Sequence, residues 1–322
     1  MKILITGGCG YIGTELVKNL LKKNYRITVI DSQWFGNYLE THKNLTNIKL
    51  DIRKIKDFSL KNFHTIIHLA GVANDPAAQL NESLSWDINV LATRSLIEKA
   101  IQDKVKKFIF ASSGSVYGIK KENKVIEDLV LKPISIYNKT KMIAENVLLS
   151  YKDRIKIFCV RPATVCGVSD RMRLDLSVNM LVSQAFYKKK ILVFGGKQIR
   201  PNILIKDMIR VYDFLISKEL PSGCYNAGFE NISILNLAKI ISKRFNKVKI
   251  KIIKNTNDPR SYRLCADKII SYGFNPMYNV NDAIDELIKN FSSHKYSEHE
   301  NFYNVKWMKK IRSKIWEEKS IY

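Results

Sequence analysis

Tyr137 and Lys141 are two residues whose types and spacing could perform acid–base chemistry. They stand four residues apart in a helical pattern, so both side chains would project from one face of the helix. A free tyrosine has a pKa of about 10 and is a poor base at neutral pH, but a nearby ammonium group would lower that pKa and permit proton exchange with a substrate hydroxyl. Such a pair alone is common on protein surfaces. It predicts a catalytic site here because Ser112, Ser113 and Ser115 end the preceding apolar run, where a hydroxyl can bind the same substrate oxygen.

A glycine pattern near the start of the chain predicts a dinucleotide site. Gly7, Gly10 and Gly13 have G-x-x-G-x-x-G spacing in the segment TGGCGYIG, between an apolar run and a helical pattern. Glycines there permit a tight turn, close approach of the backbone to a diphosphate, and tight packing of the helix on the strand. The free N–H groups at the start of the helix would bind the anion.

Acidic residues after the next two apolar runs predict which dinucleotide binds. Asp31 ends the second run, where its carboxylate can accept hydrogen bonds from an adenosine ribose, although a residue in that position can also simply cap a turn. Residues 32–34 offer no cation for a 2′-phosphate, so NAD is favoured over NADP. Asp51 and Ile52 follow the third run and are predicted at the adenine edge.

The elements that must position these residues alternate along the chain. Apolar runs at 2–6, 26–30, 48–50, 65–70, 107–111 and 156–160 predict buried parallel strands, and helical patterns cover 12–21, 88–102 and 138–151. This alternation predicts an α/β fold with a doubly wound parallel sheet of the Rossmann type. Later segments predict strands at 223–228 and 247–253 and helices at 234–245 and 280–291. We therefore expect an NAD-binding domain over 1–167, a smaller α/β substrate lobe over 168–291 with some segments returning to the sheet, and a basic aromatic tail over 292–322.

Composition excludes several other classes of protein. The chain has 322 residues, 46% of them hydrophobic, which is ample for a core, and no apolar run approaches the roughly 20 residues of a membrane-spanning helix. The first residues do not resemble a secretory signal, so we expect a cytoplasmic protein. Five scattered cysteines argue against a disulfide framework and against a metal site. The formal charge of +24 comes mostly from lysines spread along the chain, so we expect no nucleic-acid partner.

Residues 1–290 resemble an extended short-chain dehydrogenase/reductase of the NAD-dependent nucleotide-sugar epimerase/dehydratase family. The segments that carry the resemblance are TGGCGYIG at 6–13, Asp31, Asp51-Ile52, HLAG at 68–71, Asn89, SSGSVYG at 112–118, YNKTK at 137–141, RPATVCG at 161–167, FGGKQIRP at 194–201, Asp207 and DPRSYR at 258–263. Together they cover about nine-tenths of the chain in the family's order.

The resemblance implies roles for individual residues. Tyr137 would be the catalytic acid and base, Lys141 would hold the nicotinamide ribose, and Ser113 would bind the reacting oxygen. The cofactor-binding residues would be Gly7, Gly10, Tyr11, Ile12, Gly13, Asp31, Asp51, Ile52, Leu69, Ala70, Gly71, Asn89, Tyr137 and Lys141. The residues that would bind the nucleotide-sugar substrate are Asn74, Ser113, Ser115, Arg161, Asn179, Arg200, Arg260 and Arg263.

One departure from the family pattern narrows the reaction. Family 4,6-dehydratases carry an Asp-Glu pair just after the catalytic hydroxyl, and here those positions hold Gly114 and Ser115. The resemblance therefore implies hydride transfer at a single carbon, most simply C4, giving a 4-dehydrogenase or a 4-epimerase. The alternatives are a 4,6-dehydratase, a 4-keto reductase, and a non-catalytic NAD-sensing scaffold.

Fainter similarities concern the substrate. GVANDP at 71–76 and MRLDLSVNML at 172–181 resemble a branch that acts on sugars of bacterial surface polysaccharides, including a GDP-heptose 4-dehydrogenase.

Two further expectations concern assembly and the tail. The family implies a homodimer through helices 88–102 and 138–151, where Ile143, Val147 and Leu148 would supply apolar surface. In the tail, Met308, Ile311 and Ile315 would share one helical face, with Trp307 and Trp316 nearby. That helix would dock on its own protein, contact a membrane or partner, or remain disordered.

Overall fold

The computed structural model describes residues 1–254, 261–293 and 299–313. The strands in these residues are β1 Lys2–Thr6, β2 Arg26–Asp31, β3 Leu45–Lys49, β4 Thr65–His68, β5 Lys107–Ala111, β6 Lys156–Pro162, β7 Thr164–Cys166, β8 Lys190–Phe194, β9 Ile199–Leu204, β10 Gly223–Ala227, β11 Glu230–Ser233 and β12 Lys249–Ile253. The α-helices are α1 Tyr11–Lys22, α2 Asp75–Ala78, α3 Glu82–Trp86, α4 Ala92–Gln102, α5 Ile136–Leu149, α6 Ser177–Lys188, α7 Ile205–Ser217, α8 Ile234–Ser242, α9 Asp267–Ser271, α10 Val280–Ser292 and α11 Asn304–Lys310. Short 3₁₀ turns cover Ile52–Asp57, Gly114–Tyr117 and Glu300–Phe302, and a π turn at Asp87–Leu91 joins α3 to α4.

The centre of the protein is a parallel sheet of seven strands in the order β10-β6-β5-β4-β1-β2-β3. The chain leaves β1 toward β2 and β3 on one side and then crosses back to β4, β5 and β6 on the other, which is the doubly wound arrangement. The predicted fold class is confirmed. β10, from the second half of the chain, pairs in parallel with β6 and completes one edge of the sheet.

Two apolar cores cover the two faces of the sheet. One core contains Leu16 and Leu20 of α1 together with Met208 and Tyr212 of α7, and it continues into the second lobe. The other contains Leu96 and Ile97 of α4, and Leu148 of α5. Coverage of both faces explains why the strand sequences are apolar throughout instead of alternating.

The second lobe is built on two small sheets. β9 pairs with β7 in parallel and with β11 in antiparallel register, while β12 pairs with β8 in parallel. Helices α6, α8 and α10 pack around these strands. β7 begins two residues after the end of β6, so the second lobe continues from the carboxyl end of that strand.

The structure differs from the predicted elements mainly at their ends. The third strand is 45–49 and not 48–50, and the helix predicted over 88–102 begins earlier, at Glu82. Asn81 starts that helix by accepting a hydrogen bond from the backbone N–H of Leu84 at 2.9 Å. A cap of this kind leaves no trace in apolar periodicity, which is why the pattern placed the start too late.

Within the described residues, no helix combines the length and the apolar character that a membrane crossing requires. The five cysteines are all buried, and none forms a disulfide.

Candidate active site

A cavity of about 570 Å³ lies where the carboxyl ends of the large sheet face the second lobe. Most of the residues that the sequence singled out share this one cavity. They are Gly7, Gly10, Tyr11, Ile12, Gly13, Asp31, Asp51, Ile52, Leu69, Ala70, Gly71, Asn74, Ser113, Ser115, Tyr137, Lys141 and Arg200. Parallel strands bring them together because their carboxyl ends lie at the same edge of the sheet.

The glycine turn between β1 and α1 is a cradle that side chains would fill. Gly7 has a φ of +73°, and a Cβ added there would lie 2.5 Å from the backbone nitrogen of Ala70. A Cβ on Gly13 would lie 2.4 Å from the carbonyl oxygen of Gly7. Gly10 precedes the first turn of α1, whose N–H groups have no intrahelical partner. These features fit the diphosphate of a dinucleotide.

Asp31 is the last residue of β2, and two backbone N–H groups hold its side chain in place. Its carboxylate accepts hydrogen bonds from the N–H of Cys9 at 2.9 Å and from the N–H of Gln33 at 2.6 Å. Burial raises the pKa of this carboxyl group, and the two backbone donors oppose that rise. Ser32, Trp34 and Phe35 of the loop after β2 form the nearby cavity wall. None of these residues is a cation that could pair with a 2′-phosphate. This end of the cavity therefore fits an adenosine ribose.

Asp51 lies beside this region but is already paired. Arg53 donates to Oδ2 of Asp51 from Nη2 at 2.7 Å, and both side chains are buried. The pair holds the start of the 3₁₀ turn against the cavity.

The serine segment that follows β5 forms a chain of hydroxyl groups. Ser113 Oγ lies 2.7 Å from Ser115 Oγ, and Ser115 Oγ donates to Oδ1 of Asn138 at 2.6 Å. Ser112 also lines the cavity, and its buried hydroxyl has no hydrogen-bond partner among the described residues. These hydroxyl groups lie where β5 ends and α5 begins, and they leave donors and acceptors for a ligand.

Lys141 lies on α5 one turn after Tyr137, and both side chains line the cavity. Lys141 Nζ donates to the carbonyl oxygen of Ala111 at 2.7 Å and lies 4.7 Å from the ring centre of Phe110. Burial lowers the pKa of Lys141 to about 8, and the nearby Glu145 opposes that shift. Ser135 caps α5 by accepting from the N–H of Asn138 at 3.2 Å, which fixes the start of the helix that carries the pair.

Other predicted residues do not line this cavity. Arg161 is buried in an ion pair with Glu145, with Nη2 and Oε2 2.8 Å apart. Asn179 accepts from the N–H of Gly167 at 2.9 Å and donates to the carbonyl oxygen of Arg173 at 2.9 Å, so it holds the loop between β7 and α6.

Asn89 has a similar supporting position. It accepts from the N–H of Val72 at 2.8 Å and donates to Thr140 at 3.0 Å, which ties the loop after β4 to α5. Arg263 lies outside the cavity beside a separate small depression, and Arg260 falls outside the described residues.

The loop before α6 brings to the cavity three charged residues that the sequence did not assign. They are Arg171, Arg173 and Asp175, from the loop before α6. Arg173 Nε donates to Asp175 Oδ1 at 2.8 Å. The signal for these residues was a run of alternating charges in an otherwise apolar segment, and only the fold shows that it faces the cavity.

The glycine turn, the carboxylate after β2 and the Tyr/Lys pair define a dinucleotide-dependent oxidoreductase with a Rossmann-type sheet. The model of the NAD dependent epimerase/dehydratase family matches residues 3–228. A protein named "uncharacterized UDP-glucose epimerase YtcB", from Bacillus subtilis, is 32% identical over 259 residues, which are 75% of this chain and 81% of that protein. The dTDP-D-glucose 4,6-dehydratase of Bos taurus is 26% identical over 332 residues, 95% of this chain and 90% of that protein.

Among solved structures, the UDP-glucuronic acid 4-epimerase from Bacillus cereus, in complex with UDP-glucuronic acid and NAD, superposes with a TM-score of 0.79. It is 27% identical, and the match covers 91% of this chain and all of that one. This chain belongs to the NAD dependent epimerase/dehydratase family. It is an enzyme of the extended short-chain dehydrogenase type, and its cofactor is NAD.

Proposed function

We propose that this enzyme oxidises the C4 hydroxyl of a nucleotide-activated sugar, as a 4-dehydrogenase or a 4-epimerase. The observation that carries the proposal is the meeting of Ser113, Tyr137 and Lys141 in the cavity that also holds the glycine turn and Asp31. Relatives with epimerase and dehydratase names match most of the chain.

In this proposal the chain's own residues hold the cofactor at three points. The N–H groups at the start of α1 bind the diphosphate, Asp31 accepts from the adenosine ribose, and Lys141 donates to the nicotinamide ribose. NAD, when bound, supplies a hydride acceptor beside the sugar carbon. Tyr137 removes the hydroxyl proton, and Ser113 orients the reacting oxygen. The ammonium of Lys141 favours the deprotonated phenol because it places a positive charge on the same face of α5.

The finer proposal is a GDP-heptose of a bacterial surface polysaccharide as substrate. Its support is the similarity of residues 71–76 and 172–181 to a branch acting on such sugars. Both segments contribute to the cavity wall, through Asn74 and through Arg173 and Asp175. Asn74 Nδ2 donates to Asp175 at 3.2 Å, so the two segments act together as one side of the sugar pocket. Arg200 in the same cavity suits the diphosphate of the nucleotide.

A 4,6-dehydratase is the second candidate, because one observation favours it. Positions 114 and 115 lack carboxylates, yet Asp75 and Asp175 reach the same cavity from other parts of the chain. Asp175 is paired with Arg173, and Asp75 accepts a hydrogen bond from Ser135. Burial raises the pKa of Asp175, but the Arg173 guanidinium and the other partners of Asp175 together lower it by more, so this carboxylate stays ionised. Proton transfer at the sugar would need a carboxylate that exchanges a proton.

We also propose that the enzyme forms a homodimer through α4 and α5. Ile143 and Val147 are half-buried on α5, and Leu91 before α4 is 39% exposed. Leu148 does not contribute, because it is fully buried in the core of its own chain. Leu148 was predicted to join Val147 on the dimer surface. The two residues are adjacent in sequence, but on an α-helix adjacent side chains point in different directions, so only one of them can lie on that surface.

The test is mass spectrometry of sugars after incubation with the purified enzyme and NAD. GDP-, UDP- and dTDP-activated sugars are tried in turn. Loss of two mass units indicates a 4-ketone and a shifted retention time without mass change indicates epimerisation; either supports the proposal. Loss of eighteen mass units indicates dehydration and replaces it with the second candidate. Absence of any product across the panel contradicts both.

Variants identify the residues that act. Tyr137→Phe should lower the rate about 10²–10⁴-fold, the usual contribution of a positioned acid or base. The matched control is Tyr212→Phe, because the buried hydroxyl of Tyr212 has no hydrogen-bond partner among the described residues and does not line the cavity. Near-full activity of Tyr137→Phe would refute the assignment of Tyr137.

A further inference from the structure

The C-terminal segment 299–313 crosses one end of the cavity, and we call it the C-terminal strap. Trp307 Nε1 donates to the carbonyl oxygen of Trp34 at 2.6 Å, and Asn301 Nδ2 donates to the carbonyl oxygen of Phe35 at 3.3 Å. Asn304 and Met308 of the strap line the cavity itself. Trp34 and Phe35 stand three and four residues after Asp31, so the strap lies over the adenosine end.

The strap holds Arg171 in the cavity wall. Arg171 Nη2 donates to Oδ1 of Asn304 at 2.7 Å, and the guanidinium lies 4.2 Å from the ring centre of Phe35. The residue is only 2% exposed and lines the cavity. Arg171 is therefore sandwiched between the loop after β2 and the strap, with little freedom to turn toward solvent.

Arg171 carries a charge that the protein does not neutralise by contact. Among the described residues, its hydrogen-bond acceptors are carbonyl oxygens and the Asn304 amide, and no carboxylate pairs with it. Its neighbour Arg173 is paired with Asp175, so the cluster of two cations and one anion has one surplus positive charge. Burial and the charge of Arg173 lower the pKa of Arg171 to about 9. Burying an unpaired guanidinium costs stability, so its presence here calls for an anionic ligand.

The position of Arg171 indicates which anion. The guanidinium lies 4.2 Å from the ring centre of Phe35, in the loop that follows Asp31, and this contact puts Arg171 at the adenosine half of the cavity. The glycine turn lies in the same half, because the N–H of Cys9 in that turn donates to Asp31 at 2.9 Å. We propose that Arg171, positioned by Asn304 of the C-terminal strap, binds the diphosphate of the dinucleotide from the side opposite the glycine turn. The inference rests on the NAD site of the proposed function.

In this arrangement the diphosphate has two sets of donors. The backbone N–H groups of α1 approach from the sheet, and the planar guanidinium of Arg171 approaches from the second lobe. Asn304 is a positioning residue, because it touches Arg171 and fixes its rotation. The C-terminal strap thereby becomes part of the cofactor site, although it is 133 residues away from Arg171 in sequence.

Binding measurements on the nucleotide-free full-length protein test this without turnover. Affinities for NADH, ADP-ribose, adenosine and NADPH are measured by calorimetry for the wild-type protein and for Arg171→Met, which keeps the packing on Phe35 but removes the charge. We expect Arg171→Met to lower the affinity for NADH and for ADP-ribose about 10- to 100-fold, which is the effect of losing one charged hydrogen bond. The affinity for adenosine should not change. Asn304→Ala should lower the affinity for NADH and for ADP-ribose by a smaller factor.

Lys310→Met is the matched control for charge. Lys310 lies on the same strap, but its side chain is 62% exposed and pairs with Glu300 at 2.8 Å. The same change of one charge there should alter NADH affinity less than twofold. The melting temperature of nucleotide-free Arg171→Met should equal or exceed that of the wild-type protein, because a buried unpaired charge is removed. If Arg171→Met does not fold, Arg171→Lys is measured in its place and should lose part of the diphosphate affinity, since a lysine lacks the planar pair of donors.

Several results would overturn the inference. The inference is wrong if Arg171→Met binds NADH with unchanged affinity. It is also wrong if the two single variants Arg171→Lys and Asn304→Ala both bind NADH with unchanged affinity. An equal loss for adenosine would assign Arg171 to the nucleoside, and a loss confined to NADPH would assign it to the ribose 2′ position. A wild-type protein that binds neither NADH nor ADP-ribose would instead refute the NAD site of the proposed function.

Discussion

Substituting Gly7 by alanine should damage both stability and cofactor binding, because this residue is constrained twice. Its φ of +73° lies in the left-handed region, which L-residues adopt at a cost. An added Cβ would also lie 2.5 Å from the nitrogen and 2.8 Å from the Cα of Ala70. Both are backbone atoms, so no side-chain rotation can relieve the overlap.

The two costs can be estimated separately. The left-handed conformation costs an alanine about 1–2 kcal/mol. Overpacking of a rigid site costs about 1–3 kcal/mol more. Relaxation is restricted because the N–H of Gly7 donates to Ile30 at 2.8 Å and its carbonyl oxygen accepts from the N–H of Gly10 at 3.1 Å. We expect Gly7→Ala to lower the free energy of unfolding by about 2–5 kcal/mol.

Gly273→Ala is the matched control. Gly273 has a φ of +96°, but a Cβ there would meet nothing within 4 Å, so only the conformational cost of about 1–2 kcal/mol applies. Urea unfolding followed by fluorescence measures both variants, and NADH titration measures the site. Gly7→Ala should also lower the affinity for NADH, because the Ala70 backbone that it displaces lines the cavity. Gly273→Ala should bind NADH with wild-type affinity.

The comparison has a clear refuting outcome. If Gly7→Ala is no more destabilising than Gly273→Ala and retains wild-type NADH affinity, Gly7 is not packed against the backbone of Ala70 as described.

Three further predictions concern charge. Asp31→Ala should narrow the preference for NAD over NADP, measured as the ratio of kcat/KM values; an unchanged ratio would show that Asp31 does not contact the ribose. Glu145→Gln leaves Arg161 buried without its anion and should lower the free energy of unfolding by about 3–5 kcal/mol in urea, so a loss below 1 kcal/mol would contradict it. NADH binding should weaken above pH about 8, because Lys141 then loses its proton in the unliganded protein; Lys141→Met should bind weakly without this pH dependence, and an identical pH profile in both proteins would contradict the role of Lys141.

The sequence alone predicts the fold class, which the structure confirms, and most of the residues that share the candidate site. The glycine turn, Asp31 and the Tyr137/Lys141 pair are recognisable because each depends on short spacing beside a regular element, and local geometry follows from such spacing. The alternation of apolar runs and helical patterns then places them at one edge of a parallel sheet.

Only the tertiary structure decided what lies opposite that edge. Arg171, Asp175 and Asn304 reach the cavity through the docking of the second lobe and the strap, and no local pattern specifies a contact between residues 133 positions apart. The same limit applies to Arg161 and Asn179. Their residue types suit binding of the nucleotide-sugar substrate, but in the folded chain Arg161 pairs with Glu145 and Asn179 bonds to the loop backbone. A side chain's type sets the interactions available to it, and long-range packing decides which partner it meets.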